Sequence, residues 1–394
     1  MKKLLLATAA TALVAGTASA DEVKLGILLG FTGPLESTVA IMTKGAEMAI
    51  KEVSDSGKFL DGTTVGFVKG DDTCTDATVA TAAAERLITS DKVAAIIGGD
   101  CSGVTTAVLQ NVAKPNGILM VSPSATSPAL STVDDGGLFF RTAPSDARQG
   151  YVVAQILKDR GVKSIALSYS NTDYGKGLAE AIDAEFKATG GTVTISAPHE
   201  DGKADYSAEV AALAAAGGEV LVVAGYVDQG GKGIIQASID SGAFSVFYLP
   251  DGMYGQSLVD AIGAALNGSY GDVPGVEGEG IEKFKKMSAD AGFDGTSAFV
   301  GESYDAAALI LLAMQAGGAP TSAAAKDKIM ELANAPGEKI YPGELGKALD
   351  LIKEGKDIDY VGATNVELVG SGESAGNYRE YDITDGKIVT KQFR

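Results

Sequence analysis

The sequence predicts an α/β protein made of two doubly wound parallel-sheet lobes, with a ligand cleft between them. Three observations support this: a length of 394 residues, apolar runs that alternate with helical periods, and the occurrence of two such series in tandem. Runs of Val, Ile and Leu with little polar alternation are typical of parallel strands buried on both faces. A chain of this length is also expected to form more than one lobe.

The first 20 residues are predicted to be a signal peptide. Lys2 and Lys3 precede an apolar run at residues 4–15, and the triplet Ala-Ser-Ala at residues 18–20 fits a cleavage site after Ala20. The mature chain is therefore expected in the periplasm. No later run reaches about 20 uninterrupted apolar residues, so no membrane insertion of the mature chain is expected.

The elements follow in a regular order. The first series has predicted strands at residues 23–30, 64–69, 93–97, 118–121 and 138–141, with helices at residues 39–53, 77–88 and 103–113 between them. The second series has predicted helices at residues 148–160, 174–189, 207–216 and 230–241, with strands at residues 164–168, 192–196, 219–224 and 246–249. Each series reads as one α/β lobe.

The remainder of the chain reads as mostly helical. Helices are predicted at residues 256–265, 280–290, 301–315, 322–334 and 344–353, and a Gly-rich interval at residues 267–280 separates the first of them from the rest. Thr-Asp-Gly at residues 384–386 predicts a hairpin within residues 378–393. Helix-rich material after two complete series suggests that the chain returns to the first lobe and ends in the second.

Composition excludes several classes of function. The net charge of −19 argues against nucleic acid, whose binding requires a basic surface. Cys74 and Cys101 in an exported chain favour one disulfide, with two free thiols as the alternative. A structural zinc site cannot be assembled from two cysteines and one histidine, so no metal or cofactor is expected. That histidine, His199, is expected in a surface loop.

Polar side chains collect after the predicted strands, where parallel sheets bind ligands. The first lobe offers Ser102, Ser124 and Thr126 at helix starts, where free amides suit an anion. The second offers Asp251, which suits an ammonium, and Tyr174, Tyr226 and Tyr254, which can wall an apolar side chain. Together they predict an amino acid ligand. Each residue also has a structural alternative, because Ser102 and Thr126 can cap helices, Asp251 can form a turn, and Tyr174 can be a packing aromatic.

Catalysis has little support in the sequence. Gly-Glu-Ser-Ala-Gly at residues 372–376 matches the nucleophile pattern G-x-S-x-G, which requires a strand before the serine and a helix after it. Residues 377–383 are strand-like, and His199 lies upstream rather than downstream. The sequence contains neither a phosphate-binding loop nor a dinucleotide fingerprint. We therefore expect a binding protein and not an enzyme.

Several motifs together resemble the periplasmic solute-binding proteins of ABC transporters for branched-chain amino acids, the leucine/isoleucine/valine-binding type. The motifs are Thr-Gly-Pro at residues 32–34, Asp-Asp-Thr-Cys at residues 71–74, Cys-Ser at residues 101–102, residues 117–126, Tyr-Gly at residues 174–175, Gly-Tyr at residues 225–226, and residues 297–304. Their order and spacing extend over essentially the whole mature chain.

The resemblance implies a type I periplasmic binding fold, with two lobes joined by a three-crossing hinge that close on the ligand. We expect lobe 1 to comprise residues 21–142 with 277–375, and lobe 2 to comprise residues 143–276 with 376–394. The resemblance also implies that Cys74 pairs with Cys101.

The resemblance assigns a role to each ligand-binding residue. Ser102 and Thr126 bind the ligand carboxylate. The ammonium binds to the Ser124 carbonyl, to Thr126 and to Asp251, and Ala125 belongs to the same loop. Tyr174 and Tyr226 close the site from the second lobe.

The chain departs from the family pattern at three places. Thr38 stands where an aromatic residue is usual, so one wall around the ligand's side chain is altered. Asp251 stands where the best-known members have Glu, and residues 340–361 look like an insertion on the lobe surface. The expected partners are a small amino acid, branched-chain or similar, and membrane permease subunits, with the protein itself a monomer. The alternatives are another small solute (an aromatic acid, an amide or urea) or a ligand sensor in place of a transport component.

Overall fold

The computed structural model describes residues 22–394, so the predicted signal peptide lies outside the described residues. The strands are β1 (Glu22–Leu29), β2 (Thr64–Asp71), β3 (Ala95–Gly98), β4 (Met120–Ser122), β5 (Phe139–Pro144), β6 (Ser164–Ser170), β7 (Thr192–His199), β8 (Val220–Ala224), β9 (Phe247–Leu249), β10 (Tyr270–Pro274), β11 (Glu338–Ile340), β12 (Ile358–Tyr360), β13 (Leu368–Val369), β14 (Glu373–Ser374), β15 (Tyr378–Thr384) and β16 (Lys387–Phe393).

Helices alternate with these strands along the chain. They are α1 (Glu36–Ser56), α2 (Ala77–Thr89), α3 (Ser102–Val108), α4 (Lys114–Asn116), α5 (Asp146–Asp159), α6 (Asp173–Ala188), α7 (Ser207–Ala216), α8 (Gly230–Ser241), α9 (Gln256–Ile262), α10 (Glu279–Asp290), α11 (Val300–Gly317), α12 (Ser322–Ala325), α13 (Ile329–Leu332) and α14 (Leu345–Lys353). A π-helical turn at Leu109–Ala113 joins α3 to α4 into one continuous helix.

Two seven-stranded sheets form the core. Their strand orders are β13-β14-β5-β4-β3-β1-β2 and β16-β15-β10-β9-β8-β6-β7. Within each sheet the central strands pair in parallel, and antiparallel pairing occurs only towards the edge that carries the late strands. The predicted α/β class is therefore confirmed.

The sequence explains why these segments fold as they do. Strands β3 and β8 are buried throughout because helices cover both faces of each sheet. Helices α2, α5 and α6 begin after Asp76, Ser145 and Thr172, whose side chains accept amides of the first turn. All sixteen residues at 300–315 of α11 are buried, which accounts for the lack of a polar face in this helix.

The chain passes between the sheets three times. It leaves the first sheet after β5, returns after β10, and leaves again between β14 and β15. These passages lie close to the expected lobe boundaries at residues 142, 276 and 375. We keep the division into lobes as a proposal that this sheet membership supports.

The structure corrects one expectation and adds strands that the sequence pattern did not reveal. His199 was expected in a surface loop, but β7 extends past residue 196 and makes His199 its last residue, 1% exposed. Its Nδ1 lies 2.8 Å from the Ser168 hydroxyl, and burial lowers the pKa of His199 to about 4. The Gly-rich interval at residues 267–280 contains β10, a buried strand of the second sheet.

Residues 340–361 pack as a small unit against the first sheet's helices. Strands β11 and β12 pair in parallel on either side of α14. The Glu52 carboxylate on α1 accepts the amides of Gly343 and Leu345, which fixes the turn into α14. Ile340 and Leu345 are fully buried, so this segment adds apolar core as well as surface.

Within residues 22–394, no single helix has the length and apolar character needed to cross a membrane. Only the pair Val300–Gly317 and Ser322–Leu332, bent by 87° at the break between them, would qualify, by length and composition alone.

Candidate functional site

Hydroxyl side chains join the ends of β3 and β4. The Ser122 hydroxyl donates to the carbonyl of Gly99 (2.6 Å) and accepts the amide of Ala125 (2.9 Å). The Ser124 hydroxyl donates to the carbonyl of Asp100 (3.0 Å). These bonds hold the ends of β3 and β4 side by side. The buried surface formed by residues 99–102 and 122–126 is called the floor of the candidate site below.

A buried arginine supports this floor from behind. Arg141 on β5 is 1% exposed, and its guanidinium donates to the carbonyls of Ala125 (3.0 Å) and Ser127 (2.9 Å). Glu373 on β14 neutralises it. The amide of Ser127 in turn donates to the Ser102 hydroxyl (3.0 Å). The predicted residues Ser102 and Ala125 are therefore held in one network.

The three residues predicted from the second series meet in one cluster. The Tyr174 hydroxyl donates to Oδ1 of Asp251 (2.7 Å) and accepts the amide of Gly252 (3.2 Å). The rings of Tyr174 and Tyr226 stack with centroids 5.3 Å apart. All of these side chains are buried, which fixes their orientation relative to the floor.

The floor and the tyrosine cluster enclose a small cavity. Five of the predicted residues line it: Ser102, Ser124, Tyr174, Tyr226 and Asp251. Its volume of about 20 Å³ is close to that of one water molecule. The loops of the two sheets are thus closed over the site.

Two predicted residues lie beside the cavity without lining it. Thr126 and Ala125 are buried in the loop after β4, and the Ala125 carbonyl is occupied by Arg141. The residues expected to wall the ligand's side chain, Thr38 and Tyr254, line a separate crevice of about 400 Å³ at the rim.

The apolar lining comes from two residues that the sequence analysis did not select, Leu35 and Phe299. Phe299 has φ +59° immediately before α11. A bulky residue in the left-handed region is uncommon and is often found at functional sites. Nothing in the local sequence signals this conformation.

An acidic residue was also missed. Asp146 begins α5, and its amide donates to the carbonyl of Thr126 (2.9 Å). Both carboxylate oxygens of Asp146 and the Thr126 hydroxyl are buried and lie near each other, but none of them makes a hydrogen bond of normal geometry among the described residues. Asp146 follows β5 as the selected residues follow β3 and β4, so applying the strand-end rule to β5 would have found it.

The buried carboxyl groups on the Asp251 side of the site favour the binding of a cation. Burial raises the pKa of Asp251, and burial together with the charge of Asp251 raises the pKa of Asp146. Burial also raises the pKa of Asp272 to about 8, and Asp272 accepts the side-chain amide of Gln149 (3.1 Å). A bound cation would offset the cost of ionising Asp146 and Asp251.

A direct contact joins the loops of the two sheets at the rim of the site. The Asp228 carboxylate, after β8, accepts the amide and the hydroxyl of Ser37, each at 2.9 Å. The amide of Asp228 donates to the carbonyl of Pro34 (3.0 Å). The sequence analysis did not select Asp228 or Ser37, which lie 191 residues apart in the chain.

The disulfide expected from the family resemblance is confirmed. Cys74 and Cys101 are bonded across 27 residues. The bridge attaches the loop after β2 to the loop after β3, next to Ser102. It therefore restrains one end of the floor.

A sequence model of the family described as periplasmic binding protein matches residues 22–339. The chain belongs to the periplasmic binding protein family. The Brucella suis protein "Leu/Ile/Val-binding protein homolog 1" is 34% identical over 81% of this chain and 85% of its own length. The Halobacterium salinarum protein "Chemotactic signal transduction system substrate-binding protein BasB" is 30% identical over 94% of this chain and 89% of its own length.

Solved structures support the same fold for this periplasmic binding protein. A leucine-binding protein LivK of Thermotoga maritima superposes with a TM-score of 0.79 at 21% identity, over 94% of this chain and 98% of that one. A Rhodopseudomonas palustris solute-binding protein in complex with 4-hydroxybenzoate gives 0.76 at 18% identity, over 94% and 96%. At these identities the likeness establishes the fold.

The hydrolase-like motif has no catalytic geometry in this binding protein. Ser374 lies in β14, and the next element is β15 rather than a helix. Among residues 22–394, no cluster of three or more His, Cys, Asp or Glu side chains has an arrangement that could hold a metal ion.

Proposed function

We propose that this periplasmic binding protein captures a small amino acid between its lobes and delivers it to the permease of an ABC importer. One observation carries the proposal: the Thr126 hydroxyl and the Asp146 carboxylate are buried without a well-formed hydrogen bond, in the loops beside the cavity, and Asp146 lies within reach of the charge of Asp251. Buried polar groups need partners. A zwitterion supplies both a carboxylate and an ammonium, and so satisfies the two sides at once.

Each end of the ligand has a matching set of groups. Ser102, with the helix start it occupies, suits the carboxylate, because free amides and a hydroxyl converge there. Thr126 is assigned to both the carboxylate and the ammonium of the ligand. Asp251 and Asp146 suit the ammonium through charge-assisted hydrogen bonds. Leu35 and Phe299 then contact the side chain in place of the expected Thr38.

Closure follows from contacts that only the closed form makes. A ligand that touches both lobes favours the closed conformation by its differential affinity, and the lobes move as rigid bodies about the crossing segments. The contact between Asp228 and Ser37 is one that closure creates. We propose that the protein acts as a monomer, is not an enzyme, and loses its signal peptide after Ala20.

An aromatic acid is the second candidate ligand, because the Rhodopseudomonas palustris neighbour is described with 4-hydroxybenzoate. Such a ligand has a carboxylate but no ammonium. It would use the floor and the stacked tyrosines without Asp251, and this difference makes the two candidates separable.

Identification of the ligand tests the proposal. The native protein is denatured, and the released small molecules are identified by mass spectrometry. Refolded, ligand-free protein is then titrated calorimetrically with the twenty L-amino acids and with benzoate. We expect an amino acid in both measurements. Release and binding of benzoate alone would refute the amino acid ligand and support the second candidate.

The variant Asp251→Ala adds a residue-level test. Removing the charged partner of a buried ammonium costs about 2–5 kcal/mol, so we expect at least about a 30-fold loss of amino acid affinity. Asp240→Ala, at an exposed carboxylate that accepts the side-chain amide of Gln236, is the matched control. Equal affinities of the two variants would remove Asp251 from the site.

The partner is tested in cells of the source organism. A sensor role is the alternative, since the Halobacterium salinarum relative is described as part of a chemotactic system. Deletion of the gene should abolish uptake of the radiolabelled ligand. Intact uptake together with a lost behavioural response would favour the sensor.

A further inference from the structure

Two buried carboxyl groups lie next to the disulfide: Asp100, which lines the cavity, and Asp72, which does not. Asp72 follows β2 and Asp100 follows β3, and their exposed fractions are 0% and 1%. One oxygen of Asp72 accepts the amide of Cys74 (2.9 Å). The two oxygens of Asp100 accept the amides of Cys101 (2.8 Å) and Gly30 (2.9 Å). The pair therefore connects the ends of β1, β2 and β3.

The surroundings of the pair favour a retained proton on one carboxyl. Oδ2 of Asp72 is buried against Gly99, without a donor of normal hydrogen-bond geometry among residues 22–394, and the carboxyl of Asp100 is its charged neighbour. Two carboxylate oxygens attract each other only when a hydrogen lies between them, because both are acceptors. Burial and the nearby charge of Asp100 raise the pKa of Asp72 well above its ordinary range.

No opposite charge is available to replace that proton. In the part of the chain that the structure describes, no lysine, arginine or histidine forms an ion pair with Asp72 or Asp100. Tyr226 and Asp100 line the same cavity, and the charge of Asp100 contributes to the raised pKa of Tyr226. The neighbouring Asp71 directs its carboxylate to Thr32 instead.

We propose that Asp72 is a positioning residue whose protonated carboxyl donates a hydrogen bond to Asp100 and thereby fixes the floor of the binding site. Asp100 transmits this restraint in two ways: its carbonyl accepts the Ser124 hydroxyl, and its side chain accepts the amide of Cys101, directly before Ser102. Loss of the proton leaves two facing carboxylates that repel each other, so the floor loosens as pH rises. The predicted change in ligand affinity rests on the proposed function, whereas the predicted protonation of Asp72 does not.

Three variants separate the proton from the shape of the side chain. Asp72→Asn keeps the size and supplies an amide donor that does not titrate, whereas Asp72→Ala removes the hydrogen bond. Asp71→Asn is the matched control at the adjacent carboxylate. Ligand affinity and the thermal unfolding midpoint of ligand-free protein are measured from about pH 4, near the ordinary pKa of an aspartate, to about pH 10. Dividing the wild-type affinity by that of each variant at every pH cancels ionisation of the ligand.

We expect Asp72→Asn to bind within about threefold of the wild type at pH 7, and Asp72→Ala to bind at least about tenfold more weakly. The wild-type affinity should fall by at least about tenfold relative to Asp72→Asn as pH rises, and the wild-type unfolding midpoint should fall relative to that variant. The ratio of the wild-type affinity to the affinity of Asp71→Asn should stay constant as pH changes.

Two results would overturn the proposal. One is an Asp72→Asn variant that binds as weakly as Asp72→Ala at pH 7. The other is a difference in unfolding midpoint between the wild type and Asp72→Asn that does not change with pH. If the wild type binds no amino acid but the unfolding difference does follow pH, the shared proton stands and the proposed ligand class fails.

Discussion

The contact between Asp228 and Ser37 provides a direct test of how closure contributes to affinity. Asp228→Ala removes a carboxylate that accepts two hydrogen bonds from the opposite side of the cleft. In an open conformation the same carboxylate would be hydrated, so the variant should destabilise the closed form selectively. We therefore expect weaker ligand binding with little change in the unfolding of ligand-free protein.

The magnitude follows from the geometry. Hydrogen bonds to a charged group contribute about 1.5–3 kcal/mol each when buried. Because Asp228 is only half-buried, we take about 2 kcal/mol for the two bonds together, which corresponds to about 30-fold in the closed population and in apparent affinity. Ser37→Ala loses one of the two bonds and should cost about half of that free energy.

Isothermal titration calorimetry of the two single variants and the double variant completes a thermodynamic cycle. The coupling free energy should be about 1 kcal/mol, since both changes remove the same contact. Asp260→Ala, at an exposed carboxylate that contacts Gln256, is the control and should bind as the wild type does. An Asp228→Ala variant that binds within twofold of the wild type, together with additive changes in the cycle, would show that this contact does not stabilise the closed form.

Three further predictions concern stability. Arg141→Met leaves two buried carbonyls without a donor and removes the cation that faces Glu373. It should lower the free energy of unfolding by about 3–5 kcal/mol in urea titrations. Lys51→Met, in an exposed pair, should have no measurable effect, and equal effects of the two variants would contradict the prediction. Burial raises the pKa of Glu302 from 4.5 to about 8, so the folded state retains a proton that the unfolded state loses. The free energy of unfolding of the wild type should therefore fall as pH rises from about 4.5 to about 8. Relative to the wild type, Glu302→Gln should unfold with about 3 kcal/mol more free energy at pH 7 and with no such gain near pH 4. A difference between the two proteins that does not depend on pH would contradict this prediction. Reducing the disulfide between Cys74 and Cys101 opens a loop of 27 residues and should cost about 3–4 kcal/mol; an unchanged unfolding midpoint after reduction would argue that the bridge adds no stability.

Local patterns predicted the secondary structure well where burial and periodicity agree. Helices α7 and α8 have the bounds that the sequence indicated, because apolar spacing and terminal glycines mark both ends. Strand β10 was missed because its apolar pattern is masked by glycine and proline. His199 was misplaced because the end of β7 is defined by pairing with β6, which no local pattern records.

The strand-end rule predicted the polar part of the candidate site. It selected Ser102 and Asp251 because the carboxyl ends of parallel strands share one edge of a sheet. It missed Asp146, although that residue obeys the same rule, because the rule was not applied to the end of the strand predicted at residues 138–141.

Composition and short-range periodicity were sufficient to predict the α/β class, the order of the strands and helices up to β9, and the polar character of the residues at the strand ends. The packing of the two sheets places Leu35 and Phe299 in the cavity lining in place of Thr38, and brings Asp228 to Ser37 across 191 residues. Such contacts depend on how two sheets and their loops are oriented in space, and no local pattern encodes that orientation.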